Sequence, residues 1–402
     1  MRGGGVKVEE LSVTSSHPME QIEVTARLPA TMSRPPFTFY EFFAGGGMAR
    51  LGLGPGWRCL FANDFDPVKA ATYRANFGDE DFKQADVFDL SADELPGAAD
   101  LAWASSPCQD FSLAGGRAGL AGGRSSAFFG FWRLIERLNL QARAPKIVAI
   151  ENVTGLLTSH AGADFAAVCA ALATEGYRFG ALEVDAASFL PQSRRRVLLI
   201  GVRNWQGASS PSANESAAAR RAREGLPAEL QSRWVGWAPE PPGRRNLDLA
   251  ALLEPDASVC WRSEGQTQAM LALMDRRNTA KVAAAMTAGE RRVGAVFLRM
   301  RGGAQRAEVR FDGLAGCLRT PRGGSSRQAL IVVEAAGVRS RLISPRESAR
   351  LMGLSESYEL PRAGNAALHV TGDGVAVPVV RWLAETILEP LLVPAPRLLA
   401  AE

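Results

Sequence analysis

Apolar positions cluster first at Phe37-Thr38-Phe39-Tyr40-Glu41-Phe42-Phe43, an aromatic-rich run closed by Ala44-Gly45-Gly46-Gly47. The pattern predicts a strand ending in a tight turn. Helical spacing follows from Met48 to Leu53. Cys59–Ala62 predicts a second short strand, Pro67–Asn76 a second helix and Ala99–Ala104 a third strand. A long helical stretch, Ser126–Leu140, leads into Ile147-Val148-Ala149-Ile150, whose continuous apolar character predicts a buried parallel strand. Val197–Val202 predicts another. Strands alternating with helices indicate an α/β fold, a doubly wound Rossmann-like sheet.

After Val202 the pattern changes. Residues 204–245 are rich in Ser, Ala, Pro, Gly and Arg without a long periodic element, and βαβ alternation stays absent to about residue 340. Helical spacing returns at Arg346–Met352 and Val375–Leu388. The expected organisation is a disordered arm over 1–35, a doubly wound domain over 36–203 plus 366–396, a second, smaller domain over 204–345, and a hinge region over 346–365. No internal repeat is visible.

A chain of 402 residues accommodates two or three domains, and 47% hydrophobic residues suffice for a sizeable core. No apolar run approaches the roughly 20 residues of a membrane span. The start, MRGGGVKVEELS, has no apolar segment of a secretory signal, so a cytoplasmic, nucleoid-associated protein is expected. The five cysteines, Cys59, Cys108, Cys169, Cys260 and Cys317, form no C-x-x-C pair, which argues against a metal site or disulfide framework. The net charge is only +4, but residues 203–350 hold roughly 24 basic and 14 acidic side chains. Such a basic segment fits a nucleic-acid face and, equally, a solvated arginine-rich surface.

Four short motifs carry candidate chemistry. Phe43-Ala44-Gly45-Gly46-Gly47 sits at a strand-to-helix turn, where glycines let backbone approach a ligand; a plain tight turn reads nearly as well. Asp64 at the end of the next strand suits ribose hydroxyls, and Asp86-Val87 follows the third βα unit, where an acid suits an adenine amino group. Ser106-Pro107-Cys108-Gln109 follows a strand, at the sheet edge where α/β folds bind ligands, and precedes a glycine-rich loop; alone, a buried cysteine is the simpler reading. Glu151-Asn152-Val153 places a carboxylate directly after a buried strand, a costly position without a partner or a task. In Gln192-Ser193-Arg194-Arg195-Arg196 an extended backbone sends Arg194 and Arg196 to one face, where two guanidiniums stabilise a carboxylate and a thiolate; a solvated basic cluster is the alternative.

Taken in order, these motifs resemble the DNA cytosine-5 methyltransferase family of bacterial type. Arg346-Glu347-Ser348-Ala349-Arg350-Leu351-Met352-Gly353 and Gly372-Asp373-Gly374-Val375-Ala376-Val377-Pro378 resemble its last two motifs, so the resemblance spans about residues 37–390. It implies an S-adenosylmethionine-dependent enzyme in which Cys108 attacks C6 of a flipped-out cytosine and Glu151 holds the ring N3 and amino group. Arg194 and Arg196 complete the implied catalytic set, Arg196 supporting substrate and loop and Arg194 orienting Glu151 or the base. The implied cofactor contacts are Phe43, Ala44, Gly45, Gly47, Asp64, Phe65, Asp86, Val87, Pro107, Asp373 and Gly374. Three positions depart from the usual pattern: Ser106 precedes Pro107-Cys108 in place of proline, Asp64 replaces the commoner glutamate, and Asp373 the frequent asparagine.

The resemblance further implies that 204–345 recognises double-stranded DNA. Gly302-Gly303-Ala304-Gln305 and Thr320-Pro321-Arg322-Gly323-Gly324 resemble the family's DNA loops. Gln305 is the candidate to fill the gap left by the flipped base, and Arg301, Arg319, Thr320 and Arg322 are candidates for phosphates or guanine edges. A monomer, with a cognate restriction endonuclease acting separately, is the family expectation. The alternatives are a tRNA-directed cytosine-5 methyltransferase of the same fold and a non-catalytic DNA-binding relative.

Overall fold

The computed structural model describes residues 36–107, 127–207, 212–213, 215–243, 245–319 and 327–393. The expected arm over 1–35, Cys108 with its glycine-rich loop, Thr320 and Arg322 lie outside the described residues.

A seven-stranded sheet forms the larger part. Its strands are β1 (Phe37–Phe42), β2 (Trp57–Asp64), β3 (Phe82–Gln84), β4 (Leu101–Ala104), β5 (Ile147–Asn152), β6 (Arg178–Asp185) and β7 (Arg195–Val202), in the order β3-β2-β1-β4-β5-β7-β6. Strands β3, β2, β1, β4 and β5 run parallel, joined through α1 (Met48–Leu53), α2 (Pro67–Phe77) and α3 (Ala127–Leu140). The α/β fold class is thus as expected. The order steps outward from β1 in both directions, and the carboxyl ends of β1 and β4 face one crevice, where α/β sheets bind ligands. Ile147–Ile150 is fully buried, as a strand covered by helices on both faces requires.

One sheet expectation fails. Val197–Val202 lies within β7, which is antiparallel to both β5 and β6. The cause is the short return between Asp185 and Arg195: a parallel crossover needs a dozen or more residues, so β6 and β7 close as a hairpin. Strand β6 was not expected at all, because RFGALEVD mixes polar and apolar positions and is only half-buried along its second half. Helix α4 (Ala163–Thr174) precedes it, buries Phe165, Val168, Cys169 and Leu172, and joins a core containing Phe131, Trp132 and Tyr177.

Beyond Val202 come α5 (Ala217–Glu224), α6 (Ala228–Gln231), α7 (Glu264–Ala272) and α8 (Arg276–Thr287). A second, wholly antiparallel sheet follows: β8 (Arg292–Arg301), β9 (Ala304–Arg310), β10 (Ala329–Glu334) and β11 (Gly337–Leu342), ordered β11-β10-β8-β9. Helices α7 and α8 cover it over a separate core of Met270, Met274, Val282, Val296, Ile331 and Val333. The chain then returns through α9 (Pro345–Arg350), α10 (Gly364–Asp373) and α11 (Val377–Leu383). The Val375–Leu388 expectation resolves into α11 plus a π-helical turn over Ala384–Leu388. Among the described residues no helix is long and apolar enough to cross a membrane.

Candidate active site

A cavity of about 490 Å³ opens at the carboxyl ends of the parallel strands. The turn after β1 forms one wall. Phe43 has φ 56, a left-handed conformation uncommon for an aromatic residue and a form of backbone strain that clusters at functional sites. It is held there because Ala44 N donates to Asn63 O (2.8 Å) and Gly45 N to Asp64 Oδ2 (2.9 Å). The strained turn thus presents Phe43, Ala44 and Gly45 to the cavity. Gly47 does different work: it caps α1 with φ 78, and a side chain there would collide with the Phe77 ring. It does not line the cavity, unlike the other expected cofactor residues Asp64, Phe65, Asp86, Val87, Pro107, Asp373 and Gly374.

Asp64 is buried and accepts from Asp66 N (2.9 Å) as well as Gly45 N. Burial pushes its carboxyl up, with Lys69 and these two N–H groups pulling against the shift. Lys69 pairs with Asp373 at 2.9 Å, and His369 Nε2 lies 3.1 Å from the same carboxylate. Burial lowers the lysine ammonium, but Asp373 and Asp64 outweigh it and the net direction is up. Lys69 and His369 both line the cavity and were not singled out from sequence. The Asp66-Pro67 cap of α2 is the sequence signal that sets Lys69 in the first turn of that helix, shortly after Asp64 ends β2. Phe65 is 61% exposed, a flat apolar face at the mouth.

On the opposite wall Glu151 is the penultimate residue of β5, 6% exposed. Arg196 Nε approaches its Oε1 to 3.0 Å, yet the N–H is not directed at that oxygen, and Oε1 receives no hydrogen bond among the described residues. Asn152 Nδ2 reaches across to Ser106 Oγ (3.1 Å), and Ser105 N donates to Phe42 O (3.3 Å), which fixes the stem Ser105-Ser106-Pro107 beside the carboxylate. The residue after that stem is Cys108.

Arg194 is 2% exposed and donates to three backbone carbonyls, Nη2 to Gly372 O (3.0 Å) and Gly374 O (2.6 Å) and Nη1 to Leu318 O (3.1 Å), and also to Cys317 Sγ (3.3 Å). It thereby ties the end of α10 to the segment before the second expected DNA loop. The side chain facing Glu151 is Arg196. Glu41, also on the cavity wall and unanticipated, is 1% exposed with Oε2 receiving no hydrogen bond among the described residues. Burial pushes its carboxyl up to about 8, against the pull of Arg50.

The expected DNA residues lie elsewhere. Arg301 ends β8, exposed, with Nη2 3.1 Å from Glu308 Oε1. Gln305 is exposed on β9, opposite Met300, just past the Gly302-Gly303 turn. Arg319 is exposed at the last described position before the loop.

The family described as C-5 cytosine-specific DNA methylase matches residues 37–389. The chain belongs to that family. By class it is a DNA (cytosine-5-)-methyltransferase. This methylase is 28% identical to Type II methyltransferase M.NlaX of Neisseria lactamica, over 87% of this chain and 95% of that protein. It is 27% identical to M.HpaII of Haemophilus parainfluenzae, over 89% and 91%. Identity to M.BsuFI of Bacillus subtilis is 34%, but that match spans only 41% of this chain and 39% of that protein. Solved structures similar in fold include the Entamoeba histolytica methyltransferase EhMeth, with TM-score 0.59 and 14% identity over 90% of this methylase and 100% of that chain. The S. pombe Dnmt2 methyltransferase gives TM-score 0.56 and 18% identity over 89% and 100%.

Proposed function

We propose that this methylase transfers a methyl group from S-adenosylmethionine to C5 of a flipped-out cytosine in duplex DNA, through a covalent adduct to Cys108. The observation that carries the reading is one cavity holding both a strained Phe43–Gly45 turn with a buried acid, Asp64, and a buried carboxylate with an open oxygen, Glu151. The first half fits an adenosine-type cofactor: exposed backbone at a strand-to-helix turn, Asp64 for ribose hydroxyls, Asp86 for an adenine amino group and Phe65 for a ring face. Gly374 packs so closely on Met48 that any side chain there would displace it, and this keeps the wall beside Asp373 in place. When bound, S-adenosylmethionine supplies the electrophilic methyl group.

The protein's own residues supply the rest. Cytosine C5 is a poor nucleophile; addition of the Cys108 thiolate to C6 pushes the ring electrons to C5 and makes it an enamine carbon. In this reading Glu151 Oε1 accepts from the exocyclic amine, and the carboxyl group, entering the step protonated, shares its proton with N3 and so neutralises the charge that addition develops there. After methylation, loss of the C5 proton expels the thiolate and restores the aromatic ring. The target atom is unreachable in a stacked duplex, so the base must leave the helix.

We assign target recognition to residues 204–345, with Arg301, Gln305, Arg319, Thr320 and Arg322 as contacts, and cofactor binding to 36–203 with 366–396. The Type II names of the relatives support a restriction–modification setting; a separate endonuclease and a monomeric enzyme are part of the proposal. The test is transfer of tritiated methyl to duplex DNA and, in parallel, to tRNA. Transfer to DNA is expected, and Cys108→Ser should abolish turnover while DNA still binds. Full activity in that variant, or transfer to tRNA alone, overturns the reading.

A further inference from the structure

The wall of the cavity proposed for the cofactor carries an ion pair of its own. Lys69 Nζ lies 2.9 Å from Asp373 Oδ2, and the two side chains are 17% and 28% exposed. Both residues line the cavity. They come from separate elements, and each is fixed from behind. Asp66 Oδ1 accepts from Val68 N (2.8 Å) and Lys69 N (3.2 Å), so the cap of α2 sets the backbone from which the lysine reaches. Asp373 closes α10, and the carbonyls on either side of it, Gly372 O and Gly374 O, accept from Arg194 Nη2. His369, one turn earlier on the same helix, brings Nε2 to the same Oδ2 at 3.1 Å.

We infer that Lys69 is a further cofactor-binding residue: its ammonium takes the α-carboxylate of the S-adenosylmethionine tail, while Asp373 beside it takes the α-ammonium. The inference rests on the cavity being the cofactor site proposed above. The amino-acid end of that cofactor is a zwitterion, with both charged groups attached to one carbon. Such charges enter a cavity at a cost unless each meets an opposite one. An ion pair on the wall meets both at once. Laid head to tail, each cation has two anions beside it and each anion two cations, and the tail adds no net charge to the wall.

The other cations of the cavity have tasks already. Among the described residues, the lining side chains able to carry positive charge are Lys69, Arg194, Arg196 and His369. Arg194 donates to three carbonyls and to the Cys317 sulfur. Arg196 lies against Glu151 and donates to Arg195 O (2.9 Å). His369 faces Asp373. The lysine ammonium has three N–H groups on a rotatable stem, and its pair with Asp373 uses one. Burial disfavours that ammonium, but Asp373 and Asp64 outweigh it and hold the lysine charged. The pair also accounts for a departure noted in the sequence. Asp373 stands where the family frequently has asparagine. A neutral amide there needs no counter-ion, whereas a carboxylate on a cavity wall does. Lys69 supplies it, and the same positive charge then faces the ligand.

The experiment is equilibrium binding by calorimetry, with melting temperature measured on the same samples, for the full chain and its Lys69→Met and Lys69→Arg variants. Three ligands are compared: S-adenosylhomocysteine, with the whole tail; its decarboxylated form, with the ammonium alone; and 5′-methylthioadenosine, with neither group. In the parent, loss of the carboxylate should weaken binding about tenfold, the scale of one hydrogen bond between charged groups. Lys69→Met should weaken S-adenosylhomocysteine by a similar factor and leave the other two ligands and the melting temperature close to the parent, so that the two tailed ligands bind alike. Lys69→Arg should restore most of their difference. A parent that binds the two tailed ligands equally overturns the inference, and that measurement needs no variant to fold. So does a Lys69→Met variant that weakens all three ligands together, which makes the lysine a support of the wall, or one that weakens none. A parent that binds none of the three removes the cofactor reading and the inference with it, whereas a parent that binds all three beside an indifferent Lys69→Met removes only the role of the lysine.

Discussion

The two sheets bury and pair their charges differently. In the antiparallel half, the carboxylates are matched to arginines and backbone donors. Arg341 and Glu347, each about 1% exposed, meet at 2.6 Å, and Glu347 also accepts from Glu254 N and Ser344 N. Asp256 accepts from both Arg291 and Arg339, and Arg339 lies 4.1 Å over the Trp261 ring. In the parallel half two buried carboxylate oxygens, Glu41 Oε2 and Glu151 Oε1, receive no hydrogen bond among the described residues, and both residues line one cavity. An unmet buried acceptor costs on the order of 1–3 kcal/mol. An acceptor that is met holds the fold together; one left open at that cost marks where a ligand is expected to complete it.

The sharpest way to break this contrast is Glu151→Gln. If the open carboxylate is there for chemistry, turnover should fall by about 10²–10⁴, the usual range for a lost general acid or base. Melting should hold steady or rise, because a buried anion is removed. Normal methylation with a large drop in melting temperature would make Glu151 a structural partner of Arg196 and erase the distinction.

A smaller effect is expected at Glu41, and pH reveals it. Its carboxyl is pushed up to about 8 when folded, while the unfolded group titrates near its ordinary value of 4.5. Between those values the unfolded chain has released a proton that the folded one keeps, so stability falls as pH rises through this window. Glu41→Gln should flatten the decline of melting temperature between about pH 5 and pH 8. An unchanged slope would mean that Glu41 is ionised in the fold and that another group meets its charge.

The parallel half was far more legible in sequence than the antiparallel one, and the reasons are physical. Phe37–Phe43, Ile147–Ile150 and Glu151-Asn152-Val153 are constrained from both faces of a sheet, so their apolar runs and the polar residues that interrupt them stand out. Helix α1 begins at Met48 and ends at Leu53 as its spacing predicts. What escaped was set by distant partners. Strand β6 pairs only along β7 within the sheet and needs no apolar run of its own. Lys69 and His369 join the site through Asp373, about 300 residues from the lysine in the chain, which no local pattern records. Arg194 and Arg196 were expected to share a face, but their division of labour depends on Gly372, Gly374 and Leu318, none of which looks chemical in sequence. In the antiparallel half, the sparse periodicity of 204–340 conceals α7, α8 and four strands, because short amphipathic elements over a small core leave weak signals.

The smallest effect tests whether the matched charges of the antiparallel half are purely structural. Arg301 shares Glu308 with Arg299: Arg301 Nη2 lies 3.1 Å from Oε1 and Arg299 Nε 3.1 Å from Oε2. Both arginines are well exposed, so this arrangement adds little to folding, and Arg301→Ala should leave melting almost unchanged. Its consequence should appear on duplex DNA. If Arg301 takes a phosphate, the substitution weakens binding severalfold on every sequence alike and lowers the salt dependence by about one counterion. Glu308 then acts against binding, because it holds the guanidinium that the phosphate must win and places an anion nearby. Glu308→Gln should therefore tighten binding modestly, most clearly at low salt, where exposed charges are least screened. If Arg301→Ala instead changes which bases are tolerated while the salt slope stays fixed, the arginine reads a base edge; if neither substitution moves affinity, the β8–β9 turn faces solvent, and the basic character of this half must reach DNA through other residues.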